Sequence, residues 1–363
     1  MTQTDFAVSI SQTYLFCNLN SFERSNLVSY LPYQNCHKNM SKQFASFLQI
    51  LFFAIFLPLP HACAVFEAKS KPQNSTANSN VELQIAKNFG VPRRIAILQD
   101  QSINESSGLA VSHKNENAFW THNDSGDNAF LYAFNRAGRK LGVWRVANAK
   151  NVDWEDIAPY TDKKTNESYL FIGDIGNNTR TRGDAIVYRV VEPKIDPSDA
   201  SSSKKNPRLT QKADAIRIGY PDMRRDAETL LVNPNNGDLY VISKSLVGKA
   251  DIYKLSPPFD FEKKQTLKLI GQAGVPSLAP GFLTGGSFSP DGRRVVLCDY
   301  FAAYEFVLPS NAKNFDDIWT TEPERIDLGE RAQGESICYS NNGTAIYATS
   351  EKRPTPLIEV KRN

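Results

Sequence analysis

Carboxylates recur in this sequence at one place within a repeated outline. Five segments share it: Glu105-Ser-Ser-Gly-Leu-Ala-Val, Asp153-Trp-Glu-Asp-Ile-Ala, Asp226-Ala-Glu-Thr-Leu-Leu-Val, Thr284-Gly-Gly-Ser-Phe-Ser and Gln333-Gly-Glu-Ser-Ile-Cys-Tyr. Each has a polar, usually acidic start, then a small or polar residue, then an apolar run. The acidic members are Glu105, Asp153, Glu155, Asp156, Asp226, Glu228 and Glu335. Carboxylates gathered at one place repel one another and raise each other's pKa unless a cation neutralises them. Ca²⁺ accepts about 6–8 oxygen ligands and suits such a set. Zn²⁺ suits it poorly, because beyond the leader the chain has only His113 and His122 and no paired thiols. Glu105, Asp153, Glu155, Asp226, Glu228 and Glu335 are therefore the expected ligands of a divalent cation, Ca²⁺ by preference. The competing reading is that alternate members point sideways and cap turns.

The elements that must carry these residues are short strands. From residue 93 onward there is no long 3.6-residue periodicity. Short β-rich runs are instead separated by Gly, Asn, Asp and Pro. The outline recurs at intervals of 48, 73, 58 and 49 residues. After each start come a turn and a second strand, as in Ser289-Pro-Asp-Gly before Val-Val-Leu-Cys and Ser340-Asn-Asn-Gly before Ala-Ile-Tyr-Ala. Gly and Asn there supply the positive φ of tight hairpins. Third and fourth strands follow in most units. Four antiparallel strands in about fifty residues make a propeller blade. The chain is thus expected to be all-β, a five-bladed propeller, with a sixth blade only if the Ser/Lys/Pro-rich insertion at 196–212 hides one. That insertion is expected to be a surface loop. The last unit lacks a fourth strand, and Arg94-Ile-Ala-Ile-Leu before the first unit is the candidate to close the ring.

In a hairpin the start of the first strand and the end of the second lie at the same end. The repeated starts should therefore crowd one channel mouth together with Thr121-His122-Asn123-Asp124, Gly173-Asp174-Ile-Gly-Asn177, Lys244, Asp299 and Glu351. His122, Asn123, Asp124, Asn177, Asp299 and Glu351 are the expected ligand-binding set. In a hydrolytic reading Asp156 or Asp174 would be the base and Lys244 would hold an anionic end. Arg180, Arg224 and Arg225 fall on the same face, and such cations suit an anionic small molecule or glycan. Trp120 and Trp154 are expected in the core between blades. Asn123-Asp124-Ser125-Gly126-Asp127 lacks the terminal Glu of an EF-hand and reads as a polar turn. No GxSxG, HExxH, CxxC, GxGxxG or P-loop appears.

Composition narrows the classes further. The 363 residues carry 42 Lys+Arg against 39 Asp+Glu, too even a balance to suggest nucleic acid. Residues 46–59 form the most apolar run, preceded by Lys42 and followed by Ala62-Cys63-Ala64. This order reads as a signal peptide with cleavage after Ala64, and Met40 stands where a start would. Residues 1–64 are then an over-extended N-terminus plus leader, 65–92 a polar linker, and 93–363 the propeller. The mature protein is expected to be exported, periplasmic or secreted, monomeric and free of membrane. Cys298 and Cys338 lie in apolar strand-like runs and are expected to be small buried residues, with pairing the alternative in an oxidising compartment.

Glu105-Ser-Ser-Gly-Leu-Ala, His122-Asn-Asp-Ser-Gly, Asp153-Trp-Glu-Asp-Ile-Ala, Gly173-Asp-Ile-Gly-Asn-Asn and Gln333-Gly-Glu-Ser together resemble a family of exported bacterial β-propellers, over about residues 95–355. More distantly the acidic column is similar to those of β-propeller phytases, phytase-like esterases and the gluconolactonase group. The resemblance implies a cation-lined channel mouth, with a calcium-dependent hydrolase of phosphate esters or lactones as the alternative to a binding module. Thr284 and Gly286 replace the acidic pair in the fourth unit here, and Gln333 replaces one acid in the fifth.

Overall fold

The computed structural model describes residues 88–363. The expected leader, and the linker up to residue 87, lie outside the described residues. Phe89 and Gly90, at the end of that linker, already pair with Arg362 and Lys361. Among the described residues no helix is long and apolar enough to cross a membrane.

Among the described residues, twenty-two strands build five blades in a ring. A strand β1 (Arg93–Ile97) precedes the repeats. Blade 1 contains β2 (Ser106–Val111), β3 (Ala118–Asn123), β4 (Phe130–Asn135) and β5 (Lys140–Ala147). Blade 2 contains β6 (Trp154–Thr161), β7 (Ser168–Asp174), β8 (Ala185–Val191) and, beyond the insertion strand β9 (Arg208–Lys212), β10 (Asp214–Gly219). Blade 3 contains β11 (Ala227–Val232), β12 (Leu239–Ser243), β13 (Ala250–Leu255) and, after the two-residue β14 (Gln265–Thr266), β15 (Lys268–Ala273). Blade 4 contains β16 (Gly285–Phe288), β17 (Arg294–Cys298), β18 (Ala302–Val307) and β19 (Glu324–Asp327). Blade 5 contains β20 (Ser336–Tyr339), β21 (Ala345–Thr349) and β22 (Pro356–Lys361), and β1 pairs antiparallel with β22 as its fourth strand. The innermost strands β2, β6, β11, β16 and β20 pack side by side around the axis, the last against the first.

The local sequence explains each hairpin. Asn117, Asn166, Gly237, Gly292 and Gly343 stand in the five turns that join innermost to second strands, and all have φ between 55° and 76°. Each apolar core lies between two neighbouring blades. Trp120 and Trp154 are fully buried between blades 1 and 2, where Trp120 meets Trp144 edge-on at 5.0 Å.

The insertion is not a bare loop. Pro197–Ser201 forms a 3-10 turn, and β9 adds to the outer edge of blade 1, parallel to β5. The Ser202 hydroxyl accepts from Val143 N at 2.8 Å and the Thr210 hydroxyl from Ala147 N at 3.0 Å. Five blades therefore account for the described residues, and the insertion covers an open strand edge.

Cys298 and Cys338 are free and buried, in different inter-blade cores. Burial pushes the Cys298 thiol up to about 12 and the Cys338 thiol up as well. Neither thiol should react with a chromogenic disulfide at about pH 8 in the native domain, and both should titrate in denaturant. Rapid labelling of either in the folded protein would contradict this packing.

Candidate functional site

The strand register places the repeated starts beside the ends of the second strands. Ser106 pairs with Asn123, Trp154 with Asp174, Ala227 with Ser243, Gly285 with Cys298 and Ser336 with Thr349. These pairs share one mouth of the channel. In blades 1–3 the pairing slips by one residue there, between Ser106 and Gly108, between Trp154 and Asp156, and between Ala227 and Thr229. Ser107, Glu155 and Glu228 are thus the extra residues of three equivalent bulges, and a bulge re-aims its side chain. Blades 4 and 5 have no slip in this pairing.

Three carboxylates converge most closely. Oxygens of Asp124, Asp153 and Glu155 lie within 4.8 Å of one another. Asp124 follows β3, its amide bonded to the Glu105 carbonyl and one carboxylate oxygen accepting from Ser125 N. The Asp153 amide donates to Asp174 Oδ1 at 3.0 Å, and the Gly176 amide donates to the Asp153 carbonyl. With Glu155 and Asp153 as they stand, a Cβ at Gly176 would overlap Glu155 Oε1 and lie 2.6 Å from Asp153 Oδ2, so a larger residue there would push both carboxylates aside. Asp174 is fully buried and paired with Arg182 at 2.8 Å, and Arg182 also donates to the Gly176 carbonyl. Arg182 thereby fastens the loop that walls the carboxylate group.

The electrostatics follow from burial and crowding. Burial, with Asp153, Glu335 and Glu105 nearby, lifts the Asp124 carboxyl to about 7 against the pull of Ser125 N. Burial also lifts Asp153 to about 6, where Asp226 and Asp174 raise it and Arg182 lowers it. Glu155 is held well above the ordinary carboxylate range by burial, then by Glu228, Asp124, Asp153 and Glu335.

Across the mouth, Glu228 forms an ion pair with Lys244, while its other oxygen, Oε2, is buried without a hydrogen-bond partner. Burial opposes charge on Lys244, but Glu228, Tyr300 and Glu335 together hold its pKa above the usual lysine range. Glu335 accepts from Gln333 Nε2 at 2.9 Å. Glu351 bridges to Glu105 through the backbone, and burial plus repulsion from Glu335, Asp124 and Glu105 pushes its carboxyl up to about 10. Asp226 accepts from Asn177 N at 2.7 Å, tying blade 3 to the loop after β7.

The remaining sequence candidates have structural partners. Asp156 is fully buried on the axis side of β6. One of its oxygens accepts from Ile157 N at 2.8 Å, the other from Leu230 N at 3.0 Å and Gly286 N at 3.3 Å. It therefore links blades 2, 3 and 4 through backbone N–H groups. Asp299 caps its own turn, accepting from Phe301 N, Ala302 N and the Tyr304 hydroxyl, each at 2.8 Å. The Asn123 amide oxygen accepts from Asn104 N and Glu105 N at 3.1 Å. His122 is buried edge-on to Trp154, and burial lowers its pKa to about 4. Arg225 is taken up by Asp222, Asp251 and Tyr253.

Sequence reasoning places Asp124 in the ligand set and its loop as a polar turn, whereas it joins Asp153 and Glu155. It misses Gly176 and Arg182. The Gly173-Asp-Ile-Gly spacing holds the signal for Gly176, since the second glycine of that run is the one the carboxylates press against.

No family model matches the chain, and no curated protein sequence matches it. Among solved structures it is similar to a chain of the crystal structure of a nidogen/laminin complex, at 10% identity and a TM-score of 0.38. That alignment covers 68% of this chain and 72% of the other.

Proposed function

We propose that the domain is a binding module of an exported protein. In this reading the channel mouth holds a divalent cation, Ca²⁺ by chemistry, at Asp124, Asp153 and Glu155, and engages an anionic small molecule or glycan through it. The observation that carries the reading is the convergence of those three carboxylates, two of which close over a glycine where a Cβ would displace them. The donors are all oxygen, as a hard cation prefers. The resemblance of the Asp153-Trp-Glu-Asp and Gly173-Asp-Ile-Gly-Asn elements to propellers with cation-lined mouths favours the same reading. Of the flanking cations, Lys244, Arg182 and Arg225 are already paired with carboxylates, while Arg180 and Arg224 are exposed.

Calorimetric titration of the purified domain with calcium tests this. Glu155→Gln should weaken binding by more than the roughly 10–100-fold typical of losing an outer-shell partner. Gly176→Ala should do the same by displacing both carboxylates. No heat from the wild type, or equal affinity in all three proteins, would remove the proposal.

Calcium-dependent hydrolysis of phosphate esters or lactones is the second reading, favoured by the similarity of the acidic column to those of β-propeller phytases. Absence of turnover across phosphate esters and lactones with calcium supplied would dispose of it.

A further inference from the structure

We propose that Arg331, on the blade 4–5 side of this same mouth, is the anchor for a small-molecule ligand that bears a single carboxylate. The loop between β19 and β20 carries Arg331, beside the loop that follows β17. Residues 329–332 form one wall of a shallow groove, and Tyr300 and Phe301 form the other. The proposal rests on the reading of the mouth as a binding site and names the ligand's class. It does not need the cation at Asp124, Asp153 and Glu155.

The guanidinium is a cation without its anion. Lys244, Arg182 and Arg225 each have a carboxylate partner, but Arg331 has none among the described residues. Its Nη2 donates to the Asp299 carbonyl at 3.1 Å, while Nε and Nη1 are buried without a hydrogen-bond partner. The Asp299 carboxylate lies nearby but is taken up by Phe301 N, Ala302 N and the Tyr304 hydroxyl. With Arg331 as it stands, a Cβ at Gly334 would lie 2.1 Å from Cζ, 2.2 Å from Nη1 and 2.5 Å from Nη2, so the guanidinium packs against bare backbone. Charged donors left buried and unpaired are costly, and an acceptor that arrives with a ligand removes that cost.

Charge selects the acceptor. In this sector the repeat has lost acids, with Thr284 and Gly286 in the fourth unit and Gln333 in the fifth. Asp299 and Asp327 still bear on Arg331, and the exposed Glu330 lines the groove. One guanidinium among such neighbours balances one added negative charge and not two. A carboxylate therefore fits where a phosphate dianion does not, and its plane matches that of the guanidinium. Nε and Nη1 lie beneath the groove surface, so binding turns the guanidinium from the Asp299 carbonyl toward the ligand, exchanging a neutral acceptor for a charged one.

The test is a saturation-transfer NMR titration of the purified protein in EDTA and again in calcium. The probes are D-glucuronate, N-acetylglycine, D-glucose and D-glucose 6-phosphate. At least one of the two carboxylates should bind in EDTA, and the tighter of them tells a sugar acid from a simple organic acid. Glucose and glucose 6-phosphate should bind at least roughly tenfold more weakly than that carboxylate. Arg331→Gln should lose at least roughly tenfold in carboxylate affinity, and Arg331→Lys should recover part of it, since the charge remains without the fork. The melting temperature of ligand-free Arg331→Gln should be no lower than that of the wild type, because the substitution removes an unpaired charge. Equal carboxylate binding by wild type and Arg331→Gln, or equal or tighter binding of glucose or glucose 6-phosphate, would overturn the proposal. So would carboxylate binding that appears only with calcium, which would make the ion the anchor. A wild type that binds neither carboxylate would reduce Arg331 to a structural brace. Failure to bind calcium with carboxylate binding intact in EDTA would overturn the cation reading alone.

Discussion

Stripped of divalent cations, the domain should melt about 5 °C lower at about pH 8 than at about pH 5.5, and calcium should reverse that order. The sign follows from the carboxyls of Asp124 and Asp153, lifted from 3.8 to about 7 and about 6 in the folded protein. A carboxyl with a raised folded pKa binds its proton more tightly when folded. Its contribution to stability is complete below pH 3.8 and is lost as pH rises through 6 and 7. Each tenfold gain in proton affinity on folding is worth at most about 1.4 kcal/mol. Both side chains are partly open to water, which screens them, so the pair together contributes on the order of 2 kcal/mol. Calcium acts oppositely, because it needs the deprotonated oxygens and competes with protons for them. At about a hundred times its dissociation constant it adds about 2.7 kcal/mol, and more at the higher pH than at the lower. Differential scanning fluorimetry at both pH values, with EDTA and with calcium, reads all four states. A pH-independent melting temperature in EDTA with no calcium response would refute the argument.

The second large effect belongs to Asp156. Asp156→Ala should cost about 3–5 kcal/mol, since it strips the acceptor from three backbone N–H groups at about 1–3 kcal/mol for each group left buried and unsatisfied. Those groups belong to Ile157, Leu230 and Gly286, in three different blades. Asp156→Asn should cost about 1–2 kcal/mol, because one oxygen remains and the new NH₂ faces donors. Equilibrium urea unfolding measures both. A cost below about 1 kcal/mol for the alanine variant would mean that the axial carboxylate does not hold the blades together.

Blade number, closure and the identity of the mouth are all legible in the sequence. They depend on strand alternation and on turn residues such as Asn117, Gly292 and Gly343, which are local properties. The site is legible only as a region. Seven acidic starts look alike in sequence, yet Glu155 and Glu228 are aimed by bulges whereas Asp156, one residue beyond Glu155, turns into backbone amides. A slip of one residue in pairing decides between those fates, and no residue type announces it. Asp124 escapes its assignment for a different reason. Its partners Asp153 and Glu155 come from the next blade, and proximity across blades follows from packing rather than from spacing. The insertion reads as a loop because a parallel edge strand such as β9 has no hairpin partner to reveal it.

The pairing of Arg93 with Glu359 has a consequence for the order in which the chain is made. The strand that opens the propeller cannot find its partner until residues 356–361 have been synthesised. Until then blade 5 is a two-stranded fragment at most, and its neighbours face an incomplete ring. The innermost strand of each blade can pack on the one before it as it emerges, but β20 and β2 can meet only at the end. Completion of the fold is thus a late and strongly non-local event, of the kind that slows folding. A nascent chain stalled before residue 356 would carry every carboxylate of the mouth, Glu351 included, without the closed ring that holds them in register.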